Sequence, residues 1–167
     1  EHLVDIRADG SFLLNMTYFR FATGLRMADD KKWEKLFGIS RRQPESEIKL
    51  PHIDLALAIQ QVTEEILLKL AATTRRITGC SKLVMAGGVA LNSVANGKIL
   101  RAGLFEDLWI QPAAGDAGGA IGAALAVCHI SGDHPRQSGE DKMKGAYLGP
   151  AFSDKEIKKV LVRLGAD

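Results

Sequence analysis

Apolar positions change rhythm several times along this chain, and each change predicts a different element. Residues 3–7 (LVDIR) alternate apolar and polar, Ala8, Asp9 and Gly10 carry turn chemistry, and residues 11–14 (SFLL) resume an extended run. That order predicts a β-hairpin. Between 18 and 50 the pattern is irregular, with Tyr18, Phe19, Phe21, Trp33 and Phe37 set among glycines and charges. A short helix near 31–37 and a polar connection ending at Pro51 are expected there, with the rings used for buried packing. From 54 to about 78, Leu55, Ile59, Val62, Ile66, Leu70 and Ile77 recur at helical spacing, and Glu64, Glu65, Lys69 and Arg75 fall between them. Asp54 is the candidate N-cap, with His52 and Ile53 as possible first-turn residues, and Gly79 is the terminator.

The next stretch reads as α/β layering around a parallel sheet. Residues 82–86 (KLVMA) form a strand pattern, Gly87 and Gly88 follow, and a helix runs from 90 or 91 to about 102, closed by Gly103. Residues 108–111 (LWIQ) give a second strand, stopped by Pro112. The run GDAGG at 115–119 opens another helix over 120–129, almost wholly Ala, Ile, Leu, Val and Gly, hence expected to be buried all round. Polar residues 131–146 read as a linker. Ser153 and Glu156 have capping-box spacing ahead of a helix with Ile157, Val160, Leu161 and Leu164 on one face. The expected organisation is therefore a main domain over 1–130, a linker, and the start of a following domain over 147–167.

Composition narrows the class without fixing it. Of 167 residues, 46% are hydrophobic and 25% charged, as in folded globular proteins. The formal charge of +2 is too slight to imply nucleic-acid binding, and pairs such as Arg41 with Arg42 or Lys158 with Lys159 read as solvated surface. No run approaches the ~18 apolar residues of a membrane span. Cys80 and Cys128 lie beside apolar stretches, which predicts small buried hydrophobes in a reducing, cytoplasmic setting. The chain has no initiator Met and opens mid-pattern, which predicts a piece of a longer protein.

Two glycine clusters are the candidate chemistry. Gly87 and Gly88 stand between a strand and a helix, where glycine lets backbone approach a ligand and helix N–H groups favour an anion or hydroxyl. Asn92 and Asn96 share a face of the following helix. Close helix–strand packing with two ordinary surface asparagines explains the same residues equally well. In the second cluster Asp116 sits among Gly115, Ala117, Gly118 and Gly119, where it is either a helix N-cap or a carboxylate with room for a metal-bound ligand. His2, His52, His129 and His134 show no HxxxH or HExxH spacing, and no nucleophile–base pair is legible.

The runs MAGGVALN at 85–92, VANGKIL at 94–100 and LWIQPAAGDAGGA at 108–120 closely resemble the nodulation-protein/cephamycin-type O-carbamoyltransferase family. IQQVTEE at 59–65, KWEKLFG at 32–38 and YLGP at 147–150 look like further segments of it. The resemblance implies the second lobe of an actin/Hsp70/sugar-kinase-like α/β fold. It implies ATP and carbamoyl phosphate as co-substrates, carbamoyladenylate as the intermediate, and a small-molecule or sugar hydroxyl as acceptor. Gly87, Gly88, Asn92 and Gly118 would face the nucleotide, and Asp116 would ligate a divalent metal (Fe, Mn or Mg). The family's HxxxH pair is missing here, as is its carbamoyladenylate-forming domain. Both would belong to a first lobe and a C-terminal domain elsewhere in the parent chain. A kinase or hydrolase of the same superfamily, or a non-catalytic nucleotide-binding domain, are the alternatives. A lobe without its partner exposes a cleft surface, so a homodimer or poor solubility is expected.

Overall fold

The computed structural model describes residues 2–136 and 144–166, and it divides into two compact units, Glu1–Gly115 and Asp116–Asp167. The linker predicted over 131–146 lies partly outside the described residues, at 137–143.

The first unit begins with the predicted hairpin. β1 (Val4–Ile6) pairs antiparallel with β2 (Phe12–Leu14), with Asp5 opposite Leu13. The turn is closed by Gly10 N–H donating to the Arg7 carbonyl, and Asp9 Oδ1 accepts from the Ser11 N–H at 2.9 Å. Gly10 is buried at φ +86°, against the backbone of residues 69 and 70. α1 (Asp30–Phe37) is capped by Asp29 and ends on Gly38 in the left-handed region. Its Trp33 lies between Phe19 and Phe37, with ring centroids 5.8 and 5.4 Å away, and its indole N–H donates to the Tyr18 carbonyl. Phe19 meets Phe21 and Trp33, and Trp33 meets Phe37, but none of these rings is buried and Phe21 and Phe37 are exposed. The buried packing expected for them is therefore not seen: the segment lies at the surface.

α2 (Leu50–Thr78) starts four residues before the expected N-cap at Asp54. Pro51 is tolerated there because a first-turn residue needs no N–H, and His52 Nδ1 accepts the Lys49 N–H at 3.0 Å. The helix stops at Gly79, as predicted. Its buried face differs from the one its periodicity predicts. Ile59 and Ile77 are exposed, whereas Glu64 and Ala71 are the buried residues of the helix. The reason is that α3 packs along that side and supplies a cation for Glu64.

β3 (Lys82–Met85) and β4 (Asp107–Ile110) are parallel, in register from Lys82 opposite Asp107 to Met85 opposite Ile110. Between them lie a 3-10 turn (Gly88–Leu91) and α3 (Ser93–Arg101), so the predicted helix is broken at Asn92. One sheet face, with Leu83, Met85, Leu108 and Ile110, is half-buried, while Val84 and Trp109 on the other are exposed. The core gathers Ala90, Ala95 and Ile99 around α3, with Ala71 from α2 and Ala114 beyond β4. Ile99 is only 2% exposed. Replacing Ile99 by valine removes one methylene from this close-packed site and is expected to cost about 0.5–1.5 kcal/mol in a urea titration.

In the second unit α4 (Asp116–Ala126) runs into a π turn (Val127–Ser131), and α5 (Asp154–Leu164) follows with the predicted capping box of Ser153 and Glu156. Two expectations fail here. α4 has no buried residue, with Ile121 and Leu125 exposed, because an apolar helix is buried only where another surface covers it. Cys128, in the π turn, and Cys80, just beyond the α2 terminus, are both exposed free thiols rather than buried ones, since irregular segments run over the surface. Among the described residues no helix is long and apolar enough to cross a membrane.

Candidate functional site

The turn after β3 is built for close approach. Gly87 has φ +99° and ψ 157°, a conformation that side-chain-bearing residues avoid. Among the described residues, a Cβ on either Gly87 or Gly88 would meet nothing within 4 Å. Nothing among those residues packs against this glycine pair closely enough to require it. The turn is tied down from the other side. Gly87 N–H donates to the Ala114 carbonyl at 2.7 Å, Gln111 N–H donates to the Met85 carbonyl at 3.2 Å, and Ala90 N–H closes on the Gly87 carbonyl. The loop beyond β4 therefore runs beside the glycine turn.

Neither asparagine is an ordinary surface residue. Asn92 is the N-cap of α3, its Oδ1 accepting the Ala95 N–H at 3.1 Å. Its amide also pairs in both directions with Gln60 of α2. Gln60 Nε2 donates to Asn92 Oδ1 at 3.1 Å, and Asn92 Nδ2 donates to Gln60 Oε1 at 2.9 Å. Asn96 is buried and donates to the Ala90 carbonyl at 2.7 Å, which pins the 3-10 turn to α3. Its Oδ1 has no hydrogen-bond partner among the described residues.

The network continues to residues that sequence reasoning passed over. Gln60 Nε2 also donates to Glu64 Oε1 at 2.8 Å, and Lys98 Nζ donates to Glu64 Oε2. Glu64 is 5% exposed. Hydrogen bonds from Lys98 and then Gln60 hold its carboxyl below the ordinary glutamate value of 4.5, against the upward push of burial, and the Lys98 charge adds to the effect. A depressed carboxyl pKa stabilises the fold above its unfolded value and loses that contribution as pH falls through the native value. The thermal midpoint advantage of the unaltered protein over Glu64→Gln is therefore expected to stay constant between about pH 7 and pH 5 and to shrink in stronger acid. An advantage that persists unchanged at about pH 3 would show that the Glu64 charge contributes nothing. The spacing of Gln60 and Glu64, one helical turn apart, was the available signal for this face.

The second cluster lies in the second unit, where Asp116 is the first residue of α4 and Gly118 is half-buried within it. Asp116 is exposed, and its carboxylate makes no hydrogen bond or ion pair among the described residues, so it does not act as a side-chain cap. Among those residues no three His, Cys, Asp or Glu side chains are grouped to hold a metal. His129 Nδ1 lies 2.8 Å from the His134 carbonyl, which joins the two histidines without making a ligand pair. A separate concavity of about 500 Å³ in the first unit is lined by Arg26, Arg41, Trp33, Phe37 and their neighbours, and holds none of the site residues read from the sequence.

Residues 1–125 match the family described as carbamoyltransferase N-terminus. An uncharacterised protein of Synechocystis sp. is 52% identical over 162 residues, covering 96% of this chain and 26% of its own length. The nodulation protein NolNO of Sinorhizobium fredii is 38% identical over 115 residues, covering 68% and 16%. The nodulation protein NolO of Bradyrhizobium diazoefficiens is 39% identical over 109 residues, covering 65% and 19%. The chain thus spans about a quarter or less of the length of these relatives.

Proposed function

This chain belongs to the family of carbamoyltransferase N-termini, and on that premise we propose that the protein transfers a carbamoyl group to a hydroxyl of a small molecule or sugar. The carbamoyl donor is carbamoyladenylate: water releases phosphate from carbamoyl phosphate, and the resulting carbamate oxygen attacks the α-phosphorus of ATP and displaces pyrophosphate. The acceptor oxygen then attacks the carbamoyl carbon, and AMP leaves with the electron pair of the broken C–O bond. This chain contributes one lobe of an actin/Hsp70/sugar-kinase-like fold, and the remaining parts of the longer protein supply the rest of the cleft.

The observation that carries this reading is the open glycine turn. Gly87 and Gly88 leave backbone accessible at the carboxyl end of a parallel strand, where ligands of open α/β sheets bind. Neither glycine carries a Cβ that would keep a phosphate or ribose from the backbone, and the start of the next helix favours negative charge. Asn92, at the end of the same turn, retains one side-chain N–H after its bonds to Gln60 and Ala95 are counted. Asp116, in the second unit, offers a carboxylate with no hydrogen bond or ion pair among the described residues. A divalent cation held by Asp116 needs its other ligands from outside the described residues, since these contain no group of three.

The test is pyrophosphate release from ATP by the full-length protein, with and without carbamoyl phosphate, scored alongside carbamoyl transfer to candidate sugars. Release that depends on carbamoyl phosphate supports the reading. ATP consumption that ignores carbamoyl phosphate would move the protein to a kinase or hydrolase of the same superfamily, and no ATP turnover at all would leave a binding domain.

A further inference from the structure

The amide pair between Gln60 and Asn92 has a fixed polarity, and the polarity has a source. An ionised carboxylate only accepts hydrogen bonds. Glu64 therefore selects the NH₂ end of Gln60, which donates to it at 2.8 Å. The second N–H of that group goes to Asn92 Oδ1 at 3.1 Å, and Gln60 Oε1 is left to accept from Asn92 Nδ2 at 2.9 Å. The Ala95 N–H makes the same demand on Asn92 from the other side, because it too requires Oδ1. Both N–H groups of Gln60 are now used. Asn92 Nδ2 has given one, and its second N–H has no partner among the described residues.

Packing alone does not call for this arrangement. A buried ion pair is often replaced by apolar side chains of similar volume with no loss of stability. Here α2 spends Gln60 and the buried Glu64, and α3 spends Lys98, on a chain of bonds that ends at the asparagine closing the open glycine turn. We infer that Gln60, Glu64 and Lys98 are positioning residues that orient the Asn92 amide, so that its remaining N–H is offered as a donor to an acceptor atom of the bound nucleotide. Lys98 balances the Glu64 charge, Glu64 sets the orientation of Gln60, and Gln60 together with the Ala95 N–H sets that of Asn92. The inference rests on the nucleotide reading of the glycine turn and adds the residues that prepare it.

Two paired variants of the full-length protein separate orientation from mere packing. In Glu64→Gln with Lys98→Met the buried Glu64 charge and its exposed Lys98 partner are gone together, and the side chain at 64 no longer dictates which end of Gln60 faces it. In Gln60→Glu with Glu64→Gln the acceptor-only group moves next to Asn92 and still requires Nδ2 to face it, while Asn92 Oδ1 loses the N–H of residue 60 and keeps that of Ala95. The first pair is expected to raise the KM for ATP about fivefold, the worth of one net hydrogen bond, with kcat little changed. The exchanged pair is expected to stay within about twofold of the unaltered protein. Thermal midpoints of both are measured in parallel. Equal KM values in all three proteins, or KM values that simply follow the loss of thermal stability, would overturn the orienting role. Absence of ATP binding by the unaltered protein would overturn the nucleotide reading and this inference together, which is a distinguishable result.

Discussion

Replacing Gly10 by alanine is expected to destabilise the protein by about 2–4 kcal/mol, the sum of a strained left-handed backbone and an overpacked contact. Gly10 sits at φ +86°, where an L side chain is disfavoured whatever the surrounding space. Space is also lacking. A Cβ there would lie 2.5 Å from the Leu70 backbone nitrogen and 2.9 Å from both Leu70 Cγ and the Lys69 carbonyl carbon. The Leu70 side chain can turn aside, but the helix backbone cannot move without disturbing α2. The hairpin therefore has to lift off the helix or the helix has to bend. Gly38→Ala is the control, since Gly38 has φ +71° and nothing within 4 Å of a Cβ. That variant is expected to lose about 1 kcal/mol, for the backbone conformation alone. Urea titrations of both proteins separate the two contributions, and equal midpoints would show that the hairpin does not bear on α2 as described.

Asp116→Ala is expected to lower carbamoyl transfer by the full-length protein about a hundredfold or more, the usual effect of removing one preorganised charged or polar group from a reaction centre. The thermal midpoint is expected to hold. Asp116 is exposed and makes no hydrogen bond or ion pair among the described residues. Its structural contribution is therefore limited to a favourable charge in the first turn of α4, about 0.3–1 kcal/mol. A large loss of activity with little loss of stability would assign the carboxylate to the reaction. Carbamoyl-phosphate-dependent pyrophosphate release is expected to survive, because the role proposed for Asp116 lies in transfer rather than in adenylate formation. Asp116→Asn keeps the shape and removes the charge, so loss in both variants would make the charge the essential property. Transfer at the unaltered rate in Asp116→Ala would remove this residue from the site. Asn92→Ala offers no such separation, since it removes the α3 cap and the Gln60 pair at once.

Local chemistry is what the sequence expressed well. Gly10, Gly79 and Gly103 mark chain reversals or helix ends that the structure places where they were expected, and Ser153 with Glu156 forms its capping box. Strand and helix periods located β3, α3 and β4, and their order implied the parallel pairing that is seen. The two glycine clusters were legible for the same reason, since a run of small residues between a strand and a helix is a local pattern. Resemblance then carried the family, which the match over residues 1–125 bears out.

Contacts between distant segments were not legible, because their partners are chosen by packing. Glu64 read as one of the polar positions of α2, yet it is buried because Lys98, 34 residues away, meets it. Gln60 and Asn92 are 32 residues apart, and neither residue's neighbours in sequence announce the pair. The start of α2 moved from Asp54 to Leu50 because His52 reaches back to Lys49, a contact that exists only once the first turn has formed. Burial was misjudged for α4, Cys80 and Cys128, since hydropathy states what a residue favours and not whether a surface covers it. By itself, then, the sequence determined where the chain turns and which segments are helix or strand, because backbone preference and periodicity are local properties, and its resemblance to known sequences gave the family. Only the tertiary structure decided which polar side chains are buried and which way the Asn92 amide is held, because both depend on groups that the fold brings together across 30 or more residues.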